Sequence, residues 1–373
     1  MKDCRIASIS DIHLGHRKND TFEILKALRK YILDPTLLRE IDILIIAGDL
    51  FDRLLDLENE YLGQIQLFMV ALLQACAKHN VVLLVLEGTP GHDRKQSHLL
   101  VTLQTALQCP VELHYVTKLD ILYLEQFDAN VLFIPDAWNT AQEAQDEFKE
   151  LLKAKGLSQV DLAIMHGQFE YQLPPHVKSH AIHNSSEYQK LVKVQTFIGH
   201  DHTHSRLGNI VSQGSFDRLV HGEEEPKGFV RADISNNKAS IWFIENKDAR
   251  TYNTVDCTGM SMAETIEYLT DYVKPLRMDA CIRIKAESNH PIFSNMAELS
   301  KISATIDWSK KDIREEKTTD STNVSGVTEI DNEWSPIHID ANNIVKTVMD
   351  RLQSRTVTPE QLDYIQSTLE ELR

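Results

Sequence analysis

Cysteine is scarce in this chain of 373 residues: Cys4, Cys76, Cys109, Cys257 and Cys281 are scattered, with no C-x-x-C pair. That excludes a disulfide-stapled scaffold and points to reduced thiols. Basic charge is also short. Lys and Arg number 39 against 55 Asp and Glu, a net charge of −16, and the pI is near 5.4. This argues against a free-standing, high-affinity duplex binder, which neutralises phosphates with its own cations. It leaves open an enzyme that meets phosphate through bound metals. No apolar run approaches the ~18 residues of a membrane span, and the opening Met-Lys-Asp-Cys-Arg has no apolar signal core. The expectation is a soluble, cytoplasmic protein that does not engage a membrane. Hydrophobic residues at 42% and charged residues at 25% exclude wholesale disorder and collagen-like repeats. At roughly 100–200 residues per domain, the length suggests two or three domains.

The first 230 residues or so alternate apolar runs with amphipathic stretches. Ile6–Ile9, Ile41–Ala47, Val81–Leu86, Val131–Ile134, Leu162–Met165 and Thr196–Ile198 read as buried strands. Thr21–Leu33 and Asn59–His79 read as helices between them. The pattern predicts βαβ units and sheet covered on both faces. In such folds ligands gather at the carboxyl ends of the strands.

The residues at those ends are selective in type. Asp11 and His13 follow the first run as Asp-Ile-His, a spacing that aims both side chains the same way in extended chain. Asp49 follows the second, His92 and Asp93 the third, and His166 a later one; His200 and His202 close the series as Gly-His-Asp-His. Each piece alone reads as a turn residue, a cap or a hydrogen-bonded histidine. Together they are carboxylates and imidazoles in series at strand ends, the donors that suit Mn²⁺, Fe²⁺ or Zn²⁺. Two cations about 3.5–4 Å apart can share one carboxylate and activate water between them.

The series Asp11-x-His13, Gly48-Asp49, Gly91-His92-Asp93, His166 and Gly199-His200-x-His202 resembles the calcineurin-like metallophosphoesterases. Gly-Asp-Leu-Phe-Asp at 48–52, Gln-Gly-Ser-Phe-Asp-Arg at 213–218, Glu224 and Lys-Gly-Phe at 227–229 resemble the SbcD-type DNA nucleases, including phage recombination subunits. The resemblance covers about residues 1–230 at motif level, and more loosely the rest. It implies a four-layer α/β/β/α metallophosphoesterase sandwich with a small α+β capping domain and C-terminal helices. It implies that Asp11, His13 and His202 bind one metal, that His166 and His200 bind a second, and that Asp49 bridges them. His92 would act at the scissile phosphate, with Asp93 orienting its ring. The cofactor would be two divalent metals, Mn²⁺ before Mg²⁺ or Fe²⁺. The activity would be exo- and endonucleolytic cleavage of DNA alongside an SbcC-type ATPase, and the resemblance implies a homodimer.

One position departs from the family pattern. The family has Asn before the histidine, as a ligand of the second metal, and Gly91 stands there here. The expectation is a second site of Asp49, His166 and His200 that binds its metal weakly. Thr89 offers an oxygen, but a turn residue before Pro90 is the preferred reading. Two other functions stay open: a non-catalytic adaptor with a degenerate site, and a phosphoesterase for non-DNA substrates. Arg17, Arg94 and His204, beside the motifs, are the candidates for substrate contact. Asp52 is expected to anchor its loop, and His176, His180 and His183 to sit on a surface loop.

Past residue 250 the motifs stop. Ser261–Glu264 is a capping box that opens a helix. Asp279–Ala286 alternates as a strand, and Ile302, Ala304 and Ile306 mark another. The expected organisation is a phosphoesterase domain over 1–250, a capping domain over 251–308, a flexible linker over 309–333 and a helical ATPase-binding motif over 334–373. The last contains a second helix start at Thr358-Pro359-Glu360-Gln361 and a stripe of Leu362, Ile365, Leu369 and Leu372.

Overall fold

The structure is a computed structural model that describes residues 1–136, 140–173 and 182–313. The expected C-terminal helices and most of the expected linker lie outside the described residues, as do His176 and His180.

Along the chain run β1 (Cys4–Ile9), α1 (Thr21–Tyr31), α2 (Pro35–Glu40), β2 (Ile43–Ala47), α3 (Leu62–His79), β3 (Val82–Leu86), α4 (Leu99–Leu107) and β4 (Leu113–Val116). Then come β5 (Asp120–Leu124), β6 (Ala129–Ile134), α5 (Ala141–Ala154), β7 (Val160–His166), β8 (Gln168–Phe169), β9 (Ile182–His183), α6 (Ser185–Leu191) and β10 (Val192–Gly199). β11 (Ser205–Leu207), β12 (Ile210–Ser212), β13 (Gly228–Ser235) and β14 (Lys238–Glu245) complete the two large sheets. A last group follows: β15 (Tyr252–Asp256), α7 (Met262–Val273), β16 (Cys281–Glu287), α8 (Pro291–Ser294), α9 (Ala297–Ile302) and β17 (Asp307–Ile313).

One six-stranded sheet has the order β14-β13-β1-β2-β3-β4 and the other β11-β12-β10-β7-β6-β5. The apolar strands explain the layering. Ile43, Ile45, Val82 and Leu84 of the first sheet meet Val131, Phe133, Leu162 and Ile164 of the second in a core between the sheets. The alternate residues of the first sheet, Leu44, Ile46, Leu83 and Val85, pack outward on α1, α2, α3 and α4. In the second sheet Leu132, Ala163 and Met165 pack on Phe148 of α5 and Tyr188 of α6. A strand buried on both faces must be apolar at every position, and β2 and β3 are buried throughout. The result is the expected four-layer α/β/β/α sandwich.

The central strands β1, β2 and β3 are parallel, as are β6, β7 and β10, so their carboxyl ends open on common edges. β1 is flanked on its other side by antiparallel β13.

Residues 252–313 form a three-stranded parallel sheet, β15-β16-β17, with its own apolar core around Leu269, Ile282, Ile284 and Leu299. Ser261 caps α7 in a capping box with Glu264, as its sequence signals. The alternation at 302–306 does not make a strand. Ile302 ends α9, and the strand starts at Asp307 and runs to Ile313, past the residue where a linker was expected to begin. The Arg277 guanidinium reaches Glu23 of α1 at 3.2 Å, and the Tyr252 hydroxyl donates to Asn19 at 2.9 Å. These contacts tie the small sheet to the loop that follows the first motif.

His183 is a second correction. It lies in β9, 5% exposed, with Nδ1 hydrogen-bonded to the Tyr188 hydroxyl at 3.1 Å, and not on a surface loop. Burial pushes its pKa down to about 4. The neutral ring is therefore favoured in the fold. The stability this contributes is complete above the ordinary imidazole value and is lost as pH falls from about 6.5 towards 4. At full extent the effect is about 3 kcal/mol. Melting curves between pH 7 and 4 should show a shallower acid loss for His183→Gln than for wild type. Identical slopes would dismiss this histidine as a source of acid lability.

Candidate metal centre

Three loops at the carboxyl edges are laced together by hydrogen bonds from their backbone N–H groups. Asp11 N donates to Gly48 O at 3.1 Å, and Ile12 N and His13 N both donate to Asp49 O, at 2.9 and 3.0 Å. His200 N donates to the Asp11 carboxylate at 3.0 Å. Gly48 sits at φ +85°, and a Cβ there would lie 2.2 Å from His166 Nδ1, so only glycine lets these chains close up. Asp11, His13, Asp49 and His200 themselves have φ of +50°, +54°, +50° and +95°. Such backbone costs of order 1–3 kcal/mol per non-glycine residue and concentrates at functional sites.

The side chains gather in two separate clusters, and a further group of His13, Asp52 and His92 shares His13 with the first. Asp11, His13 and His202 offer ligand atoms within 4.8 Å of one another, and so do Asp49, His166 and His200. Asp49 stands between the clusters. Its Oδ2 is 3.3 Å from His166 Nε2 and 3.8 Å from His13 Nε2.

The rings of His166 and His202 are each aimed by Nδ1, which fixes the tautomer and leaves Nε2 for the centre. His166 Nδ1 donates to Ala47 O at 2.8 Å. His202 Nδ1 donates to Glu223 at 2.7 Å. His13 Nδ1 lies 3.2 Å from an Asp52 carboxylate oxygen. Asp52 therefore does more than anchor its loop. His13 is 3% exposed, yet neither of its ring nitrogens has a well-aligned hydrogen-bond partner. A buried imidazole left open beside two carboxylates is the environment a divalent cation completes.

The electrostatics agree. Burial opposes charge on both Asp49 and His166, but their mutual attraction outweighs it. Asp49 is held well below the usual carboxylate range and His166 well above the usual imidazole range. Burial would likewise raise Glu223, but the hydrogen bond and charge of His202, with Lys227, bring it down to about 2. The centre attracts positive charge.

His92 is half-buried at the rim. Its Nδ1 donates to the Asp52 carbonyl at 2.6 Å, and its ring lies edge-on to His13 with centroids 4.9 Å apart. Asp93 does not orient it, contrary to expectation. The Asp93 carboxylate accepts from Asp49 N at 3.1 Å, Phe51 N at 2.8 Å and Gly88 N at 2.7 Å. It clamps the loops after β2 and β3 and does not act on the histidine. Full burial, then the charge of Asp49, push its pKa up to about 8.

Gly91 is exposed, and a Cβ there would meet no atom within 4 Å. The Thr89 hydroxyl, two residues earlier, lies 3.3 Å from His166 Nε2. Arg17 and Arg94 are exposed on the loops that follow His13 and His92, and Arg94 donates to Gly91 O. His204 is packed against Phe243, with Nδ1 donating to Ser212 O at 2.7 Å. Sequence reasoning missed Glu223; Lys227, noted only for the resemblance, is buried, and its ammonium donates to His202 O at 2.8 Å. The acidic run at 223–225 was the available signal, but Glu224 was singled out, and it accepts from Thr254 N.

Residues 4–85 match the family model described as calcineurin-like phosphoesterase. The stretch runs from β1 into β3 and includes Asp11, His13 and Asp49; it is similar to a metallophosphoesterase domain, a family that suggests metal-dependent phosphoester hydrolysis. No curated protein matches the chain. Two crystal structures are similar, each aligned over 65% of this chain and 99% of its own. One is 13% identical with a TM-score of 0.41. The other, TT1561 of Thermus thermophilus, is 14% identical with a TM-score of 0.38. No helix among the described residues is long and apolar enough to cross a membrane.

Proposed function

We propose that the protein is a two-metal DNA phosphodiesterase of the SbcD type. The observation that carries the two-metal reading is the Asp49 carboxylate standing between two donor clusters, 3.3 Å from His166 Nε2 and 3.8 Å from His13 Nε2. Asp11, His13 and His202 would hold one cation and His166 and His200 the other, with Asp49 shared. Mn²⁺ suits this mixed carboxylate and imidazole set. Divalent cations held there would neutralise phosphate charge and activate water. His92, tethered through Nδ1, presents Nε2 to donate a hydrogen bond or a proton to a phosphate oxygen.

The choice of DNA rests on the motifs at 48–52 and 213–218, and is supported by the exposed Arg17 and Arg94 beside the centre. The acidic net charge fits a subunit that takes part of its DNA affinity from a partner. An SbcC-type ATPase held through residues 334–373, and a homodimer, belong to the same proposal. Apart from Gly91, every ligand position of the family pattern is filled, which weighs against the degenerate adaptor.

The test is Mn²⁺-dependent cleavage of end-labelled single- and double-stranded DNA, run beside a phosphomonoester and with and without the ATPase. DNA should be cleaved. His92→Ala should lose about 10²–10⁴-fold in rate while Mn²⁺ uptake is unchanged. Phosphomonoester cleavage alone would replace the DNA reading with a phosphatase. Silence from a protein that binds both metals, even with the ATPase, would favour the adaptor.

A further inference from the structure

The loop after β3 brings Thr89 against the second cluster. Its hydroxyl oxygen lies 3.2 Å from Asp49 Oδ2, 3.3 Å from His166 Nε2 and 3.4 Å from His200 Nδ1. These are the three side chains whose donor atoms already converge.

The placement is built in. Thr89 N donates to Asp49 Oδ1 at 2.6 Å, which occupies that oxygen and leaves Oδ2 turned to the hydroxyl. Gly88 lets the chain approach: a Cβ there would sit 2.1 Å from Asp49 N. Thr89 O accepts from His92 N at 2.9 Å and from Asp93 N at 3.1 Å, so the residue is held from both sides. A β-branched side chain ahead of proline has little torsional freedom left.

With Nδ1 of His166 donating to Ala47 O, Nε2 is the nitrogen turned to the centre. Asp49 Oδ2, His166 Nε2, His200 Nδ1 and the Thr89 oxygen thus face one another. A cation bound among them, with the imidazoles neutral, would meet all four as donors.

We infer that the Thr89 hydroxyl is an oxygen ligand of the second metal, filling the place the family gives to an asparagine amide. The inference rests on the two-metal reading above. A neutral hydroxyl adds an oxygen donor without charge, which suits Mn²⁺ or Mg²⁺ over softer cations.

Mn²⁺ titration calorimetry on the full-length chain tests this without reference to activity. Wild type should take up two Mn²⁺. Thr89→Val, which keeps the shape and removes the oxygen, should retain one site and weaken the other by at least about tenfold. Thr89→Ala should do the same if the valine variant misfolds. Thr89→Ser should stay within about threefold of wild type, which corresponds to ~0.65 kcal/mol. Gly91→Asn should change nothing, since that position faces open space. Two unweakened sites in the valine or alanine variant would overturn the hydroxyl assignment and leave the two-metal reading standing. A wild type that binds no Mn²⁺ would overturn both.

Discussion

Asp49→Asn should abolish metal-dependent phosphodiester cleavage, lowering the rate by about three orders of magnitude or more. The substitution keeps the shape of the side chain and removes its charge. Asp49 is 2% exposed and is the one carboxylate within 4 Å of a ring in each cluster among the described residues. An amide there leaves Asp11 as the only carboxylate of the two trios. Both cations should therefore bind more weakly, not one alone. A second readout needs no substrate. Mn²⁺ added to wild type should raise its melting temperature by mass action, and the asparagine variant should lose most of that rise. Wild-type cleavage together with a wild-type Mn²⁺-induced shift in Asp49→Asn would sink the two-metal proposal.

Much of this centre was legible in the sequence because its donor side chains sit where apolar runs stop. Asp49 follows the wholly apolar β2, His166 ends β7 after Leu-Ala-Ile-Met, and Asp11 and His200 come just past the mainly apolar β1 and β10, so the change to a polar donor shows as a boundary. What was not legible depends on how a turn folds or on chain far away in sequence. Gly91 and Thr89 are two residues apart, and only the path of the loop decides which of them faces His166. Glu223 aims His202 from 21 residues away, with no periodic signal to mark it. One of the two neighbours of β1 in its sheet is β13, more than 200 residues later in the chain. Ile302, Ala304 and Ile306 have strand spacing, but helix α9 claims the first of them, and the real strand that follows is polar. Alternation marks a half-buried strand only when the flanking chain does not form a helix first.

Asp93 shows how a residue can matter to the centre without reaching any of its rings, and it should give the largest stability loss. Its side chain is fully buried and accepts three backbone N–H groups, from Asp49, Phe51 and Gly88. Asp93→Ala leaves all three donors buried without a partner. Each costs about 1–3 kcal/mol. Water entering the vacated space would recover part of that, so a net loss of about 3–5 kcal/mol is expected. For a chain of this size the melting temperature should fall by about 10 °C. Asp93→Asn should fall between the alanine variant and wild type, because its amide keeps one acceptor oxygen and turns an N–H₂ towards donors. The same change should loosen the metal centre: the Asp49 N–H is one of the three, and the Gly88 N–H holds the turn that presents Thr89. Mn²⁺ affinity should therefore drop in Asp93→Ala although the residue is no ligand. A thermal melt within about 2 °C of wild type would show that the clamp is not needed to hold the two loops together.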